Sequence, residues 1–541
     1  MASSKQLIQA AAGVSTGPEG AWDLSYAYYD PPADLAWDIS TANFVQSFSF
    51  AAQETAPQEI AFKPDGTKMY IIGSASDSVH EYDLSTAWDV STTSFNQTFS
   101  VSAQEAAPLG LSFKTDGTKM YVCGAVGQDI NEYNLSTAWD ISTASYSQNF
   151  VTSAQVTQPE AVFFKSDGAK MYVLAGAAGE QDVNEYDLST AWDVSTASFL
   201  QAFSVSTQET APTSLFFKSD GTKMYVLGST GDDVNEYNLS TAWDVSSASY
   251  SQNFSVSAQE SSPKGLFFKP DGTQMYVIGS SGDDVNEYTL GGFDVSAQTG
   301  TDSTGFFFKD DGSKMYVLGQ TGSPADAVHE YNLSGSWDLS TASFLQSFSV
   351  ATQENAPTAI FFKSDGTKMY VIGTTGDDVN EYNLSTAWDV STATYSQNYS
   401  FAAQETNPRG IYFKDDGTKM YISGVGSNAV NEYNLSTAWD VTTASYSQNF
   451  SVSTQETNNR GLFFKPDGSK MYISGTTGDA VYEYDLSTSW DVSSASYVQN
   501  FSVADQETNP QAVFFKSDGT QMFVTGQATE AVYTYSLGVQ E

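Results

Sequence analysis

The stretch that decides the fold is SLFFKSDGTKMYVLG, residues 214–228. A short apolar run ends at the turn residues SDGT (219–222), and a second run follows as the other arm of a hairpin. Beyond the hairpin lie VNEYNL (234–239) and SYSQNFSV (249–256), each bounded by turn residues. No part of this unit has the 3.6-residue period of a helix. One unit of about 51 residues is therefore predicted to form four antiparallel strands.

The same unit recurs along the chain. An Asp-Gly pair followed by a small residue, Lys or Gln, Met and an aromatic residue occurs ten times. Its aspartates are Asp65, Asp116, Asp167, Asp220, Asp271, Asp311, Asp365, Asp416, Asp467 and Asp518. Nine of the ten tryptophans occupy one repeat position, in (A/S)WD triplets from Trp37 to Trp490, which is typical of packing between neighbouring units. The pattern predicts an all-β propeller of ten four-stranded repeats over residues 36–541.

The order strand, (S/P)DG turn, strand, loop, strand, long turn, strand resembles the YVTN-type and lactonase-like β-propeller repeats. The resemblance covers residues 36–537. It implies the propeller architecture without implying a chemistry, because propellers include binding proteins and enzymes alike.

The two ends of the repeat region predict how the propeller closes. AWDISTANFVQSFSF (36–50) is a lone fourth strand, and the last repeat stops after its third, AVYTYSL (531–537). The N-terminal strand is expected to complete the last blade. Repeat 5 has lost its Trp-bearing loop, and Gly291-Gly292 predicts a tight hairpin to FDVSAQ. This hairpin favours one ring of ten blades, with two rings of five, divided near 291–303, as the alternative.

Charge and composition exclude several classes of partner. The chain has 22 Lys+Arg residues against 64 Asp+Glu residues, a formal net charge of −42. Nucleic acid and anionic membrane repel such a surface, so neither is expected to bind. The single cysteine, Cys123, excludes an internal disulfide framework and a cysteine-based zinc site. The opening MASSKQLIQAAAG is too short and polar for a signal or membrane-spanning segment, so membrane insertion is not expected.

No catalytic, cofactor or metal site is expected. The inner strands read IAFK, LSFK, VFFK, LFFK and FFFK, with no Asp, Asn or His in their cores. The acidic and amide ligands of metal-dependent lactonase-like propellers therefore have no counterpart at matching positions. His80 and His329 stand at equivalent positions five repeats apart, which gives no ligand pair and no Ser-His-Asp arrangement. Substitution for Asn on an outer strand is the favoured interpretation of both.

Acidic residues recur on one predicted face. Gln-Glu precedes the inner strand in eight repeats, and the loop between the second and third strands carries paired aspartates. The pairs are Asp232-Asp233, Asp283-Asp284 and Asp377-Asp378. Clustered carboxylates can bind Ca²⁺ or a basic partner, but no loop has the alternating spacing of a dedicated calcium loop. Solvated turn residues are the favoured interpretation, with Ca²⁺ or partner binding as the alternative.

Residues 1–35 are predicted to be an anchoring segment. They carry Trp22, Tyr26, Tyr28 and Tyr29 outside the repeat register. Aromatic side chains without a blade should pack against a partner protein, with the outer rim where repeat 5 has lost its Trp loop as the alternative. The opening KQLIQAAAG (5–13) resembles the short N-terminal segment of virion-associated proteins of marine tailed bacteriophages.

The sequence as a whole predicts a non-catalytic structural and recognition propeller. The favoured setting is a tail, fibre or surface appendage of a phage virion, folded in the host cytoplasm. There it would join a homo- or hetero-oligomeric assembly and bind other virion proteins or a host surface receptor. A secreted or cell-surface bacterial propeller that binds glycan or protein is the first alternative, and a lactonase-like enzyme is the second.

Overall fold

The computed structural model describes residues 21–32 and 35–538. Within them the chain forms ten antiparallel sheets, nine with four strands and a tenth whose outer strand is in two pieces. The prediction of an all-β propeller with ten four-stranded blades is confirmed. None of the described helices is long and apolar enough to cross a membrane.

Each blade has an inner, a second, a third and an outer strand, and the blades are numbered from the first repeat to the tenth. The inner strands are Pro57–Phe62, Pro108–Phe113, Pro159–Phe164, Pro212–Phe217, Pro263–Phe268, Ser303–Phe308, Pro357–Phe362, Pro408–Phe413, Asn459–Phe464 and Pro510–Phe515. The second strands are Lys68–Gly73, Lys119–Gly124, Lys170–Ala175, Lys223–Gly228, Gln274–Gly279, Lys314–Gly319, Lys368–Gly373, Lys419–Gly424, Lys470–Gly475 and Gln521–Gly526. The third strands are Ser78–Leu84, Asp129–Leu135, Asp182–Leu188, Asp233–Leu239, Asp284–Thr289, Ala327–Leu333, Asp378–Leu384, Ala429–Leu435, Ala480–Leu486 and Ala531–Leu537.

The outer strands are listed in the same blade order. They are Thr93–Ser100, Ala144–Val151, Ala197–Ser204, Ala248–Ser255, Asn43–Ser49, Ala342–Ser349, Ala393–Ser400, Ala444–Ser451, Ala495–Ser502, and for blade 10 the two pieces Ala27–Tyr29 and Phe293–Asp294. A short 3₁₀ helix leads into the outer strand of each blade. These helices are Val90–Thr92, Ile141–Thr143, Val194–Thr196, Val245–Ser247, Ile39–Thr41, Leu339–Thr341, Val390–Thr392, Val441–Thr443, Val492–Ser494 and Leu24–Tyr26. One α-helix, Ser296–Thr299, precedes the inner strand of blade 6.

The chain divides into two compact units. The inserted unit is Ala36–Gly291, and the split unit is Met1–Leu35 together with Gly292–Glu541. Within the inserted unit, the inner strands of blades 1 to 5 contact one another in order, and blade 5 contacts blade 1. Within the split unit, blades 6 to 10 do the same, and blade 10 contacts blade 6. Each unit is thus a closed five-bladed propeller, which is the alternative to the single ring that the sequence favoured.

The N-terminal strand closes a different blade from the one predicted. Asn43–Ser49 pairs with the third strand of blade 5, Asp284–Thr289, with Asn43 opposite Thr289. The deletion in repeat 5 explains this pairing, because it removes the Trp loop and the outer strand together. Blade 5 therefore needs an outer strand from elsewhere in the chain. The prediction that residues 36–50 complete the last blade is wrong.

Gly291-Gly292 does not form the predicted hairpin within blade 5. Immediately after it, Phe293–Asp294 pairs with Val532 and Ala531, in the third strand of blade 10. Ala27–Tyr29 pairs with the other end of that strand. The outer strand of blade 10 is therefore built from two pieces, one before and one after the inserted unit in sequence. The boundary between the two units falls between Gly291 and Gly292.

The tryptophan of each repeat joins two neighbouring blades. Trp88 has a φ of 71°, in the left-handed region that bulky residues rarely occupy. Its N–H donates to the carbonyl of Gly66 at 3.1 Å, and a Cβ on Gly66 would lie 2.5 Å from the indole. The indole centroid lies 5.4 Å from that of Phe62 in its own blade and 6.3 Å from that of Tyr276 in blade 5. Buried aromatic contacts on both sides offset the backbone strain.

Candidate functional sites

The glutamates of the recurring Gln-Glu pairs are buried caps of backbone N–H groups. They are Glu54, Glu105, Glu209, Glu260, Glu354, Glu405, Glu456 and Glu507. Oε1 of Glu54 accepts from the N–H of Ala56 at 2.7 Å, and Oε2 accepts from the N–H and hydroxyl of Ser76 at 3.2 and 2.6 Å. Burial raises the pKa of Glu54, but hydrogen bonds from His80 and Ser76 outweigh it and lower the pKa to about 2. These carboxylates tie the linker to the loop between the second and third strands.

The paired aspartates of that loop divide into two positions. Asp232, Asp283 and Asp377 end the loop at φ values of 49°, 51° and 47°. Asp233, Asp284 and Asp378 begin the third strands. The carboxylate of Asp378 accepts from Nδ2 of Asn380 at 2.7 Å and of Asn398 at 2.5 Å, while burial raises its pKa. Among the residues that the structure describes, no group of three or more His, Cys, Asp or Glu side chains is arranged to hold a metal ion.

Both histidines are buried in third strands. Nε2 of His80 lies 2.9 Å from the hydroxyl of Ser76, and Nδ1 lies 2.9 Å from that of Thr98. Nδ1 of His329 contacts the Ser347 hydroxyl at 2.9 Å, and burial lowers the pKa of His329 to about 4. Each ring is therefore held by hydroxyl groups of its own blade rather than presented to a ligand.

Trp22 belongs to blade 10, contrary to the expectation that it has no blade. Its N–H donates to the carbonyl of Gly519 at 3.0 Å, and Tyr472 of blade 9 donates to its carbonyl at 2.6 Å. Its ring lies 6.2 Å from Phe463 and 5.6 Å from Phe515, as the Trp88 ring lies 6.3 Å from Phe267 and 5.4 Å from Phe62. The triplet Ala-Trp-Asp at 21–23 was the signal for this placement.

The neighbouring tyrosines lie in the same blade. Tyr28 pairs with Ser536, and the ring of Tyr29 lies 6.0 Å from that of Tyr533 and 5.6 Å from that of Tyr535. The side chain of Tyr26 and residues 1–20, on which the anchoring prediction also rests, lie outside the described part of the chain.

A buried carboxyl group stands in the inner strand of blade 1, one residue before the run IAFK, which contains no Asp, Asn or His. Glu59 is 4% exposed and occupies the register of Gly110, Ala161, Ser214 and Gly265 in blades 2 to 5. The Ser214 hydroxyl donates to its Oε2 at 2.7 Å. Burial raises the pKa of Glu59 to about 8, against the lowering effect of that hydrogen bond. Burial therefore favours the neutral acid over the carboxylate.

Glu59 lines a cavity of about 220 Å³ at the Asp-Gly-turn end of the inserted unit. The other lining side chains are mainly aromatic, among them Phe163, Phe216, Phe267 and Trp192. A small apolar cavity with one neutral acid can hold an apolar molecule and one hydrogen bond. Its lining residues include no histidine, the base of the Ser-His-Asp arrangement.

The outer strands expose aromatic side chains that the sequence analysis did not single out. They are Phe44, Phe95, Tyr146, Phe199, Tyr250, Phe344, Tyr395, Tyr446 and Tyr497, each 41–46% exposed. Each stands beside a β-bulge, as at the register shift between Tyr146 and Gln148. The bulge turns Tyr146 outward while Phe150, four residues later, contacts Tyr186 of the next blade at 5.5 Å. Strict alternation would place Tyr146 and Phe150 on one face, so sequence reasoning missed the exposure.

Comparison with known proteins assigns the chain to no family. No family model matches the chain, and no curated protein matches it. Among solved structures, a proposed 6-phosphogluconolactonase from Bacteroides fragilis is 13% identical with a TM-score of 0.27, covering 72% of this chain and 97% of its own. Hydrazine synthase from Kuenenia stuttgartiensis is also 13% identical with a TM-score of 0.27, covering 90% of this chain and 97% of its own.

Proposed function

We propose that the protein is a non-catalytic recognition propeller whose partner binds the outer strands. The observation that carries this proposal is the exposed aromatic ring at one register of nine described outer strands. Rings that served only to pack blades would be buried, as those of Trp22, Trp37 and Trp192 are. Aromatic side chains supply a large, rigid contact area at low cost in side-chain entropy, which suits them to binding surfaces.

The charge distribution supports the same surface. None of these nine outer strands contains Asp, Glu, Lys or Arg, although the chain carries a net charge of −42. Proteins usually protect an exposed sheet edge with charged residues or proline. Here only the bulge interrupts the edge, so backbone groups and aromatic rings are offered together to a partner.

The use of the titratable groups supports the non-catalytic part of the proposal. The repeated glutamates cap backbone N–H groups, and His80 and His329 contact hydroxyl groups of their own blades. The Lys of each Lys-Met-Tyr segment pairs with a buried Glu of the third strand, as Lys223 does with Glu236 at 2.8 Å. Groups committed in this way are poorly placed for proton transfer to a substrate.

The proposed setting is a tailed-phage virion, with another virion protein or a host surface receptor as the partner. Its support is the resemblance of residues 5–13 to virion-associated proteins, together with the acidic composition of the chain. The segment 21–32 serves blade 10, so any anchor in this region would have to lie before residue 21.

The test replaces the four exposed rings of the split unit, in the variant F344S/Y395S/Y446S/Y497S. Incorporation into particles, or binding to the isolated partner, should fall strongly while the thermal midpoint stays within a few degrees. Val126→Ser is the matched control, because Val126 is 66% exposed but lies in a loop. Undiminished incorporation of the four-ring variant would overturn the proposal.

A further inference from the structure

The two arginines of the chain occupy the same position in neighbouring blades. Arg409 and Arg460 are the only arginines in 541 residues, and each is the second residue of its inner strand, in blades 8 and 9. In blades 6, 7 and 10 this register holds Thr304, Thr358 and Gln511. Blade stacking therefore does not require a basic residue here, and the pair needs another explanation.

Neither guanidinium group has a partner among the residues that the structure describes. Every described lysine except Lys264 forms an ion pair, whereas neither arginine does. Nε of Arg409 and Nε of Arg460 are buried and donate to no acceptor. Burial lowers the pKa of Arg460 to about 10, and the charge of Arg409 contributes to the shift. The two like charges repel each other in a partly buried place, and the attraction of Glu405 and Glu456 offsets this only in part, since the pKa of both arginines stays lowered.

The nearest carboxylates are already committed. Oε1 of Glu405 accepts from the N–H of Asn407 at 2.7 Å, and its Oε2 accepts from the Ser427 hydroxyl at 2.6 Å. Oε1 of Glu456 accepts from the N–H of Asn458 at 2.6 Å. Both glutamates are thereby held as loop caps and make no ion pair with the arginines.

A buried hydroxyl without a partner lies in the strand paired with that of Arg409. Oγ of Ser423 has no hydrogen-bond partner among the described residues. Ser423 lies opposite Gly410, next to Arg409, and Ser474 holds its position in blade 9. In blades 1 to 7 that position holds Ile, Leu or Cys. Blade 10 has the hydroxyl of Thr525 at this position without an arginine, and only in blades 8 and 9 do the hydroxyl and the arginine occur together.

We propose that Arg409 and Arg460, with the hydroxyl of Ser423, bind a phosphate group at the linker end of the inner strands of blades 8 and 9. Two guanidinium charges match the charge of a dianion, and each fork presents N–H donors to two oxygens. The hydroxyl adds a donor that an apolar residue could not supply. The ligand is free phosphate or the phosphate group of a monoester, since both present the same oxygens. This site is independent of the partner proposed for the outer strands.

The test is calorimetric titration of the full chain with inorganic phosphate and, separately, with glycerol 2-phosphate. Saturable binding of either ligand to the wild-type protein, at one site per chain, is expected. The variant R409Q/R460Q should bind at least about tenfold more weakly, because charge-assisted hydrogen bonds are lost. The variant R409K/R460K should fall between the two, since it keeps the charge and loses the planar fork.

The matched control is K414Q/K465Q, which removes two positive charges at the other end of the same inner strands. It should bind phosphate as the wild type does. Without phosphate, the thermal midpoint of R409Q/R460Q should equal or exceed that of the wild type, because uncompensated charges are removed. No saturable binding of either ligand by the wild type would overturn the proposal, as would unchanged binding by R409Q/R460Q or equal loss in K414Q/K465Q.

Discussion

The phenol of Tyr276 donates a hydrogen bond to the backbone carbonyl of Trp88 at 2.7 Å, and this bond joins blade 5 to blade 1. The same bond joins each other pair of neighbouring blades in the inserted unit, as from Tyr70 to Trp139 at 2.6 Å. The bond from Tyr276 to Trp88 closes this series of five, so the ring is complete without any further blade. Each bond lies beside a stacked indole, so polar and aromatic contacts act at one place.

The split unit lacks this bond at one junction. Tyr472 donates to Trp22 at 2.6 Å between blades 9 and 10, but blade 10 carries Phe523 in place of tyrosine. Phe523 lies 5.9 Å from the Trp337 ring of blade 6, and Thr534 stands where the other third strands have Glu. A surface pocket of about 260 Å³ is lined by Trp337, Gln521 and Thr534 at this junction.

Phe523→Tyr should stabilise the split unit by supplying the missing hydrogen bond to the Trp337 carbonyl. The expected gain in the free energy of unfolding is about 1 kcal/mol, measured by denaturant titration. Tyr472→Phe, the reverse change at an intact junction, should cost about the same. A loss of stability in Phe523→Tyr would show that the junction has no room for the hydroxyl.

Trp22→Ala should destabilise the split unit by about 3–5 kcal/mol, because it removes a buried indole between blades 9 and 10. Differential scanning calorimetry should show one lowered transition and one unchanged transition. Trp37→Ala is the matched control, since Trp37 has the same role in blade 5 and should lower the other transition. If Trp22→Ala leaves both transitions in place, residues 21–32 do not belong to blade 10.

Glu59→Gln should stabilise the inserted unit at pH 8 and leave it nearly unchanged at pH 4. The folded-state pKa of Glu59 is raised from 4.5 to about 8, so the unfolded chain releases its proton first and stability falls as pH rises through this window. The amide stays neutral and removes that loss, on the order of 3 kcal/mol at pH 8. The difference between variant and wild type isolates Glu59 from the nearby Cys123 and Glu160. An equal difference in unfolding free energy between variant and wild type at both pH values would contradict the raised pKa of Glu59.

Metal removal should leave the protein unchanged. Treatment with EDTA is expected to shift neither thermal transition, and hydrolysis of lactones and phosphomonoesters should stay at the uncatalysed rate, because no described cluster offers metal ligands. A midpoint that falls on chelation and recovers with Ca²⁺ would instead assign Ca²⁺ to a turn such as Asp377-Asp378.

The strands could be predicted from the sequence because their signals are local. The Asp-Gly turns, the Met-aromatic segments and the Trp-Asp pairs recur at one period, and each determines a conformation within a few residues. Ring closure could not be predicted in the same way, because Asn43–Ser49 fits the third strand of any blade. Blade 5 takes this strand because its own outer strand is missing. The deletion in repeat 5 is visible in the sequence, but it was interpreted as a hairpin at Gly291-Gly292.

The candidate sites were predicted less well, for a different reason. Asp232-Asp233 and the equivalent pairs were selected because they recur, whereas the acidic and basic side chains of the inner strands stand at positions that depart from the repeat. Glu59 stands where other blades have small residues, and Arg409 and Arg460 stand where others have mainly neutral ones. Their burial and missing partners depend on packing between blades, which no single repeat encodes.

Expression of residues 36–291 alone tests most directly whether the chain contains two self-closed rings. These residues include every strand of blades 1 to 5 and all five Tyr-to-Trp hydrogen bonds. We predict a soluble monomer that unfolds in one cooperative thermal transition, at the midpoint of one of the two transitions of the full chain. An unfolded or aggregated fragment, or one that is stable only after addition of residues 292–541, would contradict the two-ring account.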